Sequence, residues 1–340
     1  MPRALRRVLL SLLAVAVASV AIAPWLGEAT AQQREREAAV VAPRPQLVAH
    51  EWGVWKLQQG RVAHIEELAA ECPPFVVGVR PRPPIQINPP PPFPRPQPPL
   101  PVIQPPIDPR PHPVARKPVL FLYTDTPLDV TVEVGFEGGE PWLYYPAAEV
   151  TRSPTGGGLR WEGRLIASGR TILAAPGAGH WWNDLRAVNA ATFLANTGTA
   201  ESFLFYDGPV RFERPFLLTR QNGGALVTPM SAERTLFLVE SGRYVEHDVE
   251  PDLRGAGLVA QGDMAMLRAR LDELLRGRGL KPTESRALLE TWRDDLFANP
   301  RPLAVYFVPR DLYDRMLPLT ITPVPDELVR VGLVIDELSG

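Results

Sequence analysis

The chain has 340 residues, 45% hydrophobic and 22% charged, a globular composition long enough for one large domain or two small ones. A formal net charge of −2 supplies no basic field, which argues against binding nucleic acid through bulk electrostatics. Cys72 is the one cysteine, so an internal disulfide is excluded and the fold must rest on its core, a metal or a partner.

The N-terminus opens with Arg3, Arg6 and Arg7, continues through small and apolar residues over 8–23, and reaches Ala29-Thr30-Ala31. Positive start, apolar middle and small-residue exit are the three parts of a secretory signal. Residues 1–31 are therefore expected to be a cleaved signal peptide, and the mature protein to be periplasmic or secreted. The alternative is an uncleaved anchor over residues 8–26, the sole membrane contact the sequence suggests; Pro24 interrupts that run.

Residues 32–49 are largely polar and read as a disordered mature N-terminus. In residues 50–72, Trp52, Val54 and Val62 flank Gly60, which predicts a hairpin docking on the body that follows. Half of the 40 prolines fall within 73–118. Proline lacks an amide donor and clashes with a preceding helical turn, so residues 73–116 are expected to be an extended, proline-rich excursion.

The body is expected to span residues 117–340. Residues 119–123 form a short apolar run. Val130, Val132, Val134 and Phe136 then alternate with smaller or polar residues, the period of a strand with one buried face. Leu159, Trp161 and Leu165 mark another strand, and further ones are expected over 203–206, 216–219, 225–228, 235–240 and 243–249. Asn222-Gly223 and Ser241-Gly242 supply turn residues between them. Residues 263–298 change period: Leu267, Leu271, Leu274 and Leu275 share one helical face behind an N-capping Asp263, and Pro282 opens a second helix carrying Leu288, Leu289, Trp292 and Leu296. Strand-like segments return at 303–308, 317–321 and 328–335. The expected fold class is α+β, mostly β: an antiparallel, sandwich-like body with an inserted helical hairpin.

Several of these pieces, in order, resemble a group of exported, functionally uncharacterised bacterial proteins whose mature part opens with His-Glu-Trp-Gly. The carriers are His50-Glu51-Trp52-Gly53, Lys117-Pro118-Val119-Leu120 running to Tyr123, Glu201 before Phe203-Leu204-Phe205-Tyr206, Thr291-Trp292, Val308-Pro309-Arg310 and Leu317-Pro318-Leu319. Tyr144-Tyr145-Pro146 stands where that group has Trp-Tyr-Pro. The resemblance covers residues 50–65 and 117–337. It implies export as a single unit, and no activity.

Two segments carry candidate site residues. His50-Glu51 could ligate a metal or transfer protons, but position 54 is Val, so the helical His-Glu-x-x-His pattern is not met. The bland reading is a pair of hydrogen-bonding side chains at a strand end, with Trp52 as core. The segment containing His180, Trp181, Trp182 and Asp184 suits an exposed loop whose indoles could stack on sugar rings. The rival reading has one indole packed and the other shielding the loop. The five histidines, 50, 64, 112, 180 and 247, form no local metal clamp, and Asp125, Asp129, Glu246 and Asp248 lack calcium-loop spacing. No cofactor motif or serine-hydrolase elbow occurs. The sequence thus points to an exported, non-enzymatic protein that binds a ligand or a cell-envelope component such as a glycan. The alternative is an exported hydrolase, with or without a metal, using His50, Glu51, His180 and Asp184.

Overall fold

The computed structural model describes residues 46–58, 65–78, 114–153, 155–167, 173–221, 224–249 and 256–338. The expected signal segment, residues 32–45 of the expected mature N-terminus, Val62 of the expected hairpin, His64, His112, the expected turn at Asn222-Gly223 and residues 79–113 of the proline-rich stretch lie outside them.

The described residues begin with β1 (Leu47–Leu57), α1 (Ile65–Ala70) and β2 (Val77–Gly78), then β3 (Val114–Thr124), β4 (Leu128–Glu137), β5 (Leu143–Tyr145), β6 (Glu149–Ser153) and β7 (Gly156–Ile166). A short helix α2 (Trp182–Arg186) precedes β8 (Thr192–Ala195), β9 (Ala200–Glu201), β10 (Leu204–Pro209), β11 (Phe216–Gln221) and β12 (Gly224–Pro229). After β13 (Thr235–Glu240), β14 (Arg243–Val249) and β15 (Ala256–Asp263) come the helices α3 (Met264–Gly277), α4 (Pro282–Thr291) and α5 (Arg293–Phe297). The chain closes with β16 (Leu303–Val308), α6 (Arg310–Met316), β17 (Leu319–Thr322) and β18 (Glu327–Glu337).

The architecture is mostly β with a helical insertion, as the alternating strands and leucine spacing predict. Ten strands form one sheet in the order β15-β14-β13-β16-β18-β1-β3-β10-β5-β2. A second sheet runs β17-β4-β7-β8-β9 with β6 on β7, and β11-β12 form a separate hairpin. One face of the large sheet packs on the second sheet, where Trp55, Leu120, Tyr206 and Val334 share a core with Val132, Phe136, Trp161 and Phe193. The other face packs on the helices, where Trp52, Phe121, Phe307 and Leu333 meet Leu267, Leu271, Leu288 and Trp292. Sandwich and helical layer thus share one central sheet.

Local signals translate directly where one face decides the element. Val130, Val132, Val134 and Phe136 are all buried on β4. Asp263 caps α3 by accepting the Met266 amide at 3.0 Å. Ser241 and Gly242 take φ of 52° and 73° in the β13-β14 turn, the left-handed geometry such a hairpin needs.

Several expectations change. β1 starts at Leu47, so residues 47–49 are strand and not part of a disordered N-terminus. β1 is also not half of a local hairpin: it pairs parallel with β18 and antiparallel with β3, and Ile65 opens α1. Nearly every residue of β1 is buried, which only a central strand covered on both faces accommodates. Finally, the proline-rich excursion is shorter than 73–116, because Val77–Gly78 pairs with β5 and β3 begins at Val114. The second predicted helix breaks at buried Trp292 into α4 and α5, and α6 fills a stretch with no predicted element. Among the described residues no helix is long and apolar enough to cross a membrane.

The C-terminal end of β18 supplies a pH-dependent tie. Burial alone would raise the Glu337 carboxyl, but hydrogen bonds from Gln58, Arg301 and Asn299 and the Lys56 charge hold it below the ordinary range. A depressed folded value contributes stability that is complete above the unfolded value, about 4.3, and is lost as pH falls through the folded one. Glu337→Gln is expected to flatten the decline in urea midpoint between neutral and acid pH; an unaltered decline would refute this assignment.

Candidate functional site

Consecutive side chains of a strand point to opposite faces. His50 therefore faces the helices and Glu51 the second sheet, and the two neighbours belong to different clusters.

Glu51 is fully buried. It accepts hydrogen bonds from the hydroxyls of Tyr206 and Tyr313 and from Arg330 Nε at 2.5 Å. Arg330 Nη1 reaches Asp314 at 2.7 Å, and the guanidinium lies over the Tyr313 ring. Burial, then the Glu51 charge, pushes the Tyr313 hydroxyl well above its ordinary value, so it remains a donor. Gly53 fits this arrangement: a Cβ there would stand 2.9 Å from the Tyr313 hydroxyl. These hydrogen bonds tie β1, β10, α6 and β18 together.

His50 sits in a different setting. Glu284, fully buried in the first turn of α4, accepts from His50 Nδ1 at 2.9 Å and, with the same oxygen, from the Lys281 amide at 2.6 Å. Its other oxygen accepts from the Tyr123 hydroxyl. Glutamate at the third helical position, reaching back to the amide before the helix, is a common N-terminal device; here the same carboxylate also orients an imidazole. Burial, then the Glu284 charge, raises the Tyr123 hydroxyl far above its usual value. The Lys281 ammonium lies 3.0 Å from the centre of the Tyr123 ring, and burial lowers its pKa.

A carboxylate only accepts, so the proton of a neutral His50 resides on Nδ1 and Nε2 presents a lone pair. His50 Nε2 is buried and has no hydrogen-bond partner among the described residues. Glu327 Oε1 lies 3.9 Å from it, beyond hydrogen-bond reach, on a side chain 60% exposed. An imidazole fixed through one nitrogen, with the other unengaged one side chain from the surface, has the arrangement of a general base.

The 180–184 segment divides. Trp182 is fully buried, donates to Glu201 at 2.8 Å and packs among Phe75, Tyr145, Phe203 and Phe205. It therefore offers no free face to a sugar. Trp181 is partly exposed and donates to the Glu71 carbonyl at 2.8 Å. His180 Nδ1 accepts the Trp182 amide at 3.1 Å, an N-terminal contact of α2. Asp184 is exposed; partial burial and then Glu290 raise its pKa, against the pull of Arg293. Asp184 thus neighbours the far end of α4, about 9 Å along the helix from Glu284 at 1.5 Å per residue. Trp182→Ala is expected to cost about 3–5 kcal/mol by cavity formation, and Trp181→Ala much less. Equal urea midpoints for the two variants would contradict this division.

His247 lies on β14, four strand spacings from β1, or about 19 Å. Asp129, Glu246 and Asp248 are each paired with an arginine, respectively Arg164, Arg270 and Arg234. Among the described residues no group of three or more His, Cys, Asp or Glu side chains is placed to hold a metal ion. The structure thus leaves His50 with one engaged and one unpartnered nitrogen among the described residues, holds Glu51 and Trp182 in fully buried hydrogen bonds, and brings Tyr123 and Lys281 to the Glu284 carboxylate that meets His50. The one sequence trace of this arrangement was Glu284 following a helix-opening proline.

No family model, no curated protein and no solved structure matches the chain.

Proposed function

We propose that the protein is an exported hydrolase in which His50, held by Glu284, acts as general base toward a water molecule. The observation that carries this reading is the Nδ1 contact to a fully buried carboxylate combined with an unpartnered Nε2. A water admitted to the buried Nε2 by displacement of the exposed Glu327 side chain would lose a proton to the imidazole and attack an electrophilic carbon or phosphorus. The Glu284 carboxylate stabilises the imidazolium, which then returns the proton to the leaving group. The Lys281 ammonium lies against the ring of Tyr123, whose hydroxyl meets the same carboxylate, where it can balance charge developing on the substrate. Turnover of p-nitrophenyl esters and phosphates, lost in His50→Gln at unchanged thermal midpoint, tests the proposal. No turnover by the native protein, or equal turnover by the variant, would overturn it.

The export part rests on residues 1–31 and on the resemblance carried by His50-Glu51-Trp52-Gly53. Sequencing the N-terminus of native material by cell fraction tests it. A cytosolic chain that retains Met1 would refute it. The non-enzymatic reading, binding of a glycan or other envelope component, keeps one supporting observation: the partly exposed indole of Trp181 beside His180, with ring centres 5.3 Å apart. Equal glycan binding by Trp181→Ala would remove it.

A further inference from the structure

The sheet register puts Tyr123, Val48 and Glu327 in one row across β3, β1 and β18, and Phe121, His50 and Val329 in a row two residues further on. Residues two apart on a strand share a face, so Tyr123 and Glu327 flank His50 on the helix side of the sheet. The ring is fixed from three directions. It meets the Tyr123 ring edge at 5.4 Å, it sits in the central strand, and Glu284 accepts from its Nδ1 at 2.9 Å. The side chain is 3% exposed, and its Nε2 lone pair points at Glu327 Oε1, 3.9 Å away.

That separation selects among the things that could join the two atoms. A direct hydrogen bond needs about 2.9 Å, and a water bonded to both atoms spreads them to about 4.5 Å. Zinc takes imidazole nitrogen at about 2.0–2.1 Å and carboxylate oxygen at about 2.0–2.2 Å. The two atoms then stand between about 3.4 Å apart at a tetrahedral angle and about 4.1 Å as the angle opens. The observed gap falls in the last range. A histidine that ligates a metal through one nitrogen characteristically donates the other N–H to a carboxylate, which is what Glu284 receives. The carboxylates of Glu284 and Glu327 offset the charge of a dication, and the Lys281 ammonium is engaged on the Tyr123 ring.

We propose that His50 Nε2 and the Glu327 carboxylate together bind one zinc ion, and that the bound ion switches His50 off as a base. Glu327 is 60% exposed, so the ion enters from its side and completes its coordination with water. An imidazole ligand favours zinc over magnesium or calcium, which prefer oxygen alone. The metal takes the same lone pair that would accept a proton from water. Binding stands independently of hydrolysis; the switching role rests on the general-base reading.

Calorimetric titration of the full chain with zinc chloride, in excess magnesium to fill oxygen-only sites, tests the proposal. One equivalent is expected to bind in the micromolar range, since the protein supplies two of the four ligands. His50→Gln should abolish this binding. Glu327→Gln, at an exposed position, should weaken it at least about tenfold with the zinc-free thermal midpoint unchanged. No binding at millimolar zinc, or an isotherm unchanged in either variant, would overturn the site. Bound zinc should also suppress p-nitrophenyl ester turnover in step with occupancy, and turnover that persists at saturation would overturn the switching role. Zinc binding by a native chain without turnover would uphold the site and refute the general-base reading, so the two failures are distinguishable.

Discussion

Replacing Glu51 by Gln is expected to destabilise the fold by about 3–5 kcal/mol, the cost of leaving a buried charge without its partner. The substitution keeps the shape and removes the charge. It also turns an amide donor toward three groups that donate: the hydroxyls of Tyr206 and Tyr313 and the Nε of Arg330. Arg330 would keep only Asp314, itself 44% exposed, against a guanidinium that is 1% exposed. The effect should show as a lower urea midpoint with an unchanged slope, since the surface exposed on unfolding does not change. A midpoint equal to that of the native protein would show that the cluster contributes little. Paired replacement with Arg330→Met should recover part of the loss, because the stranded charge is then removed as well. This cluster connects the first described strand to the last, so its loss is expected to loosen β1 from β18.

His50→Gln is expected to lower hydrolytic turnover by about 10²–10⁴-fold, the usual contribution of a positioned general base. The fold should tolerate it, since glutamine can still donate to Glu284. Glu284→Gln should also reduce turnover, because the imidazole loses the carboxylate that sets its tautomer and stabilises its charged form. It should also cost stability, as Glu284 is buried and accepts from Tyr123 and Lys281 too. Tyr123→Phe separates the roles. The tyrosine touches Glu284 and the His50 ring edge, so its loss should lower kcat with little change in KM. If His50→Gln and Glu284→Gln left turnover intact while lowering stability, the dyad would be structural.

Fold and site differ in how much of them could be read beforehand, for one physical reason. Burial on one face leaves a local trace. Val130 to Phe136 alternates because β4 packs one side on the core, and Leu267, Leu271 and Leu275 recur because one stripe of α3 faces the sheet. Turn chemistry is local as well, as at Ser241-Gly242. The mostly-β class and the inserted helices follow from such traces.

Which strand lies beside which leaves no local trace. β1 is buried on both faces, so its run shows that it is central but not that its neighbour is β18 at the far end of the chain. The candidate site depends on that arrangement. Adjacent His50 and Glu51 read as a pair in sequence, yet the pleat sends them to opposite sides of one sheet. The carboxylate that meets His50 belongs to Glu284, 234 positions away on a helix carried over the sheet. Sequence alone determined the strands buried on one face and the helical stripes, because each residue's periodic neighbours record them. The tertiary structure alone decided the partners of His50, Glu51 and Arg330, because distant segments meet only when the central sheet assembles.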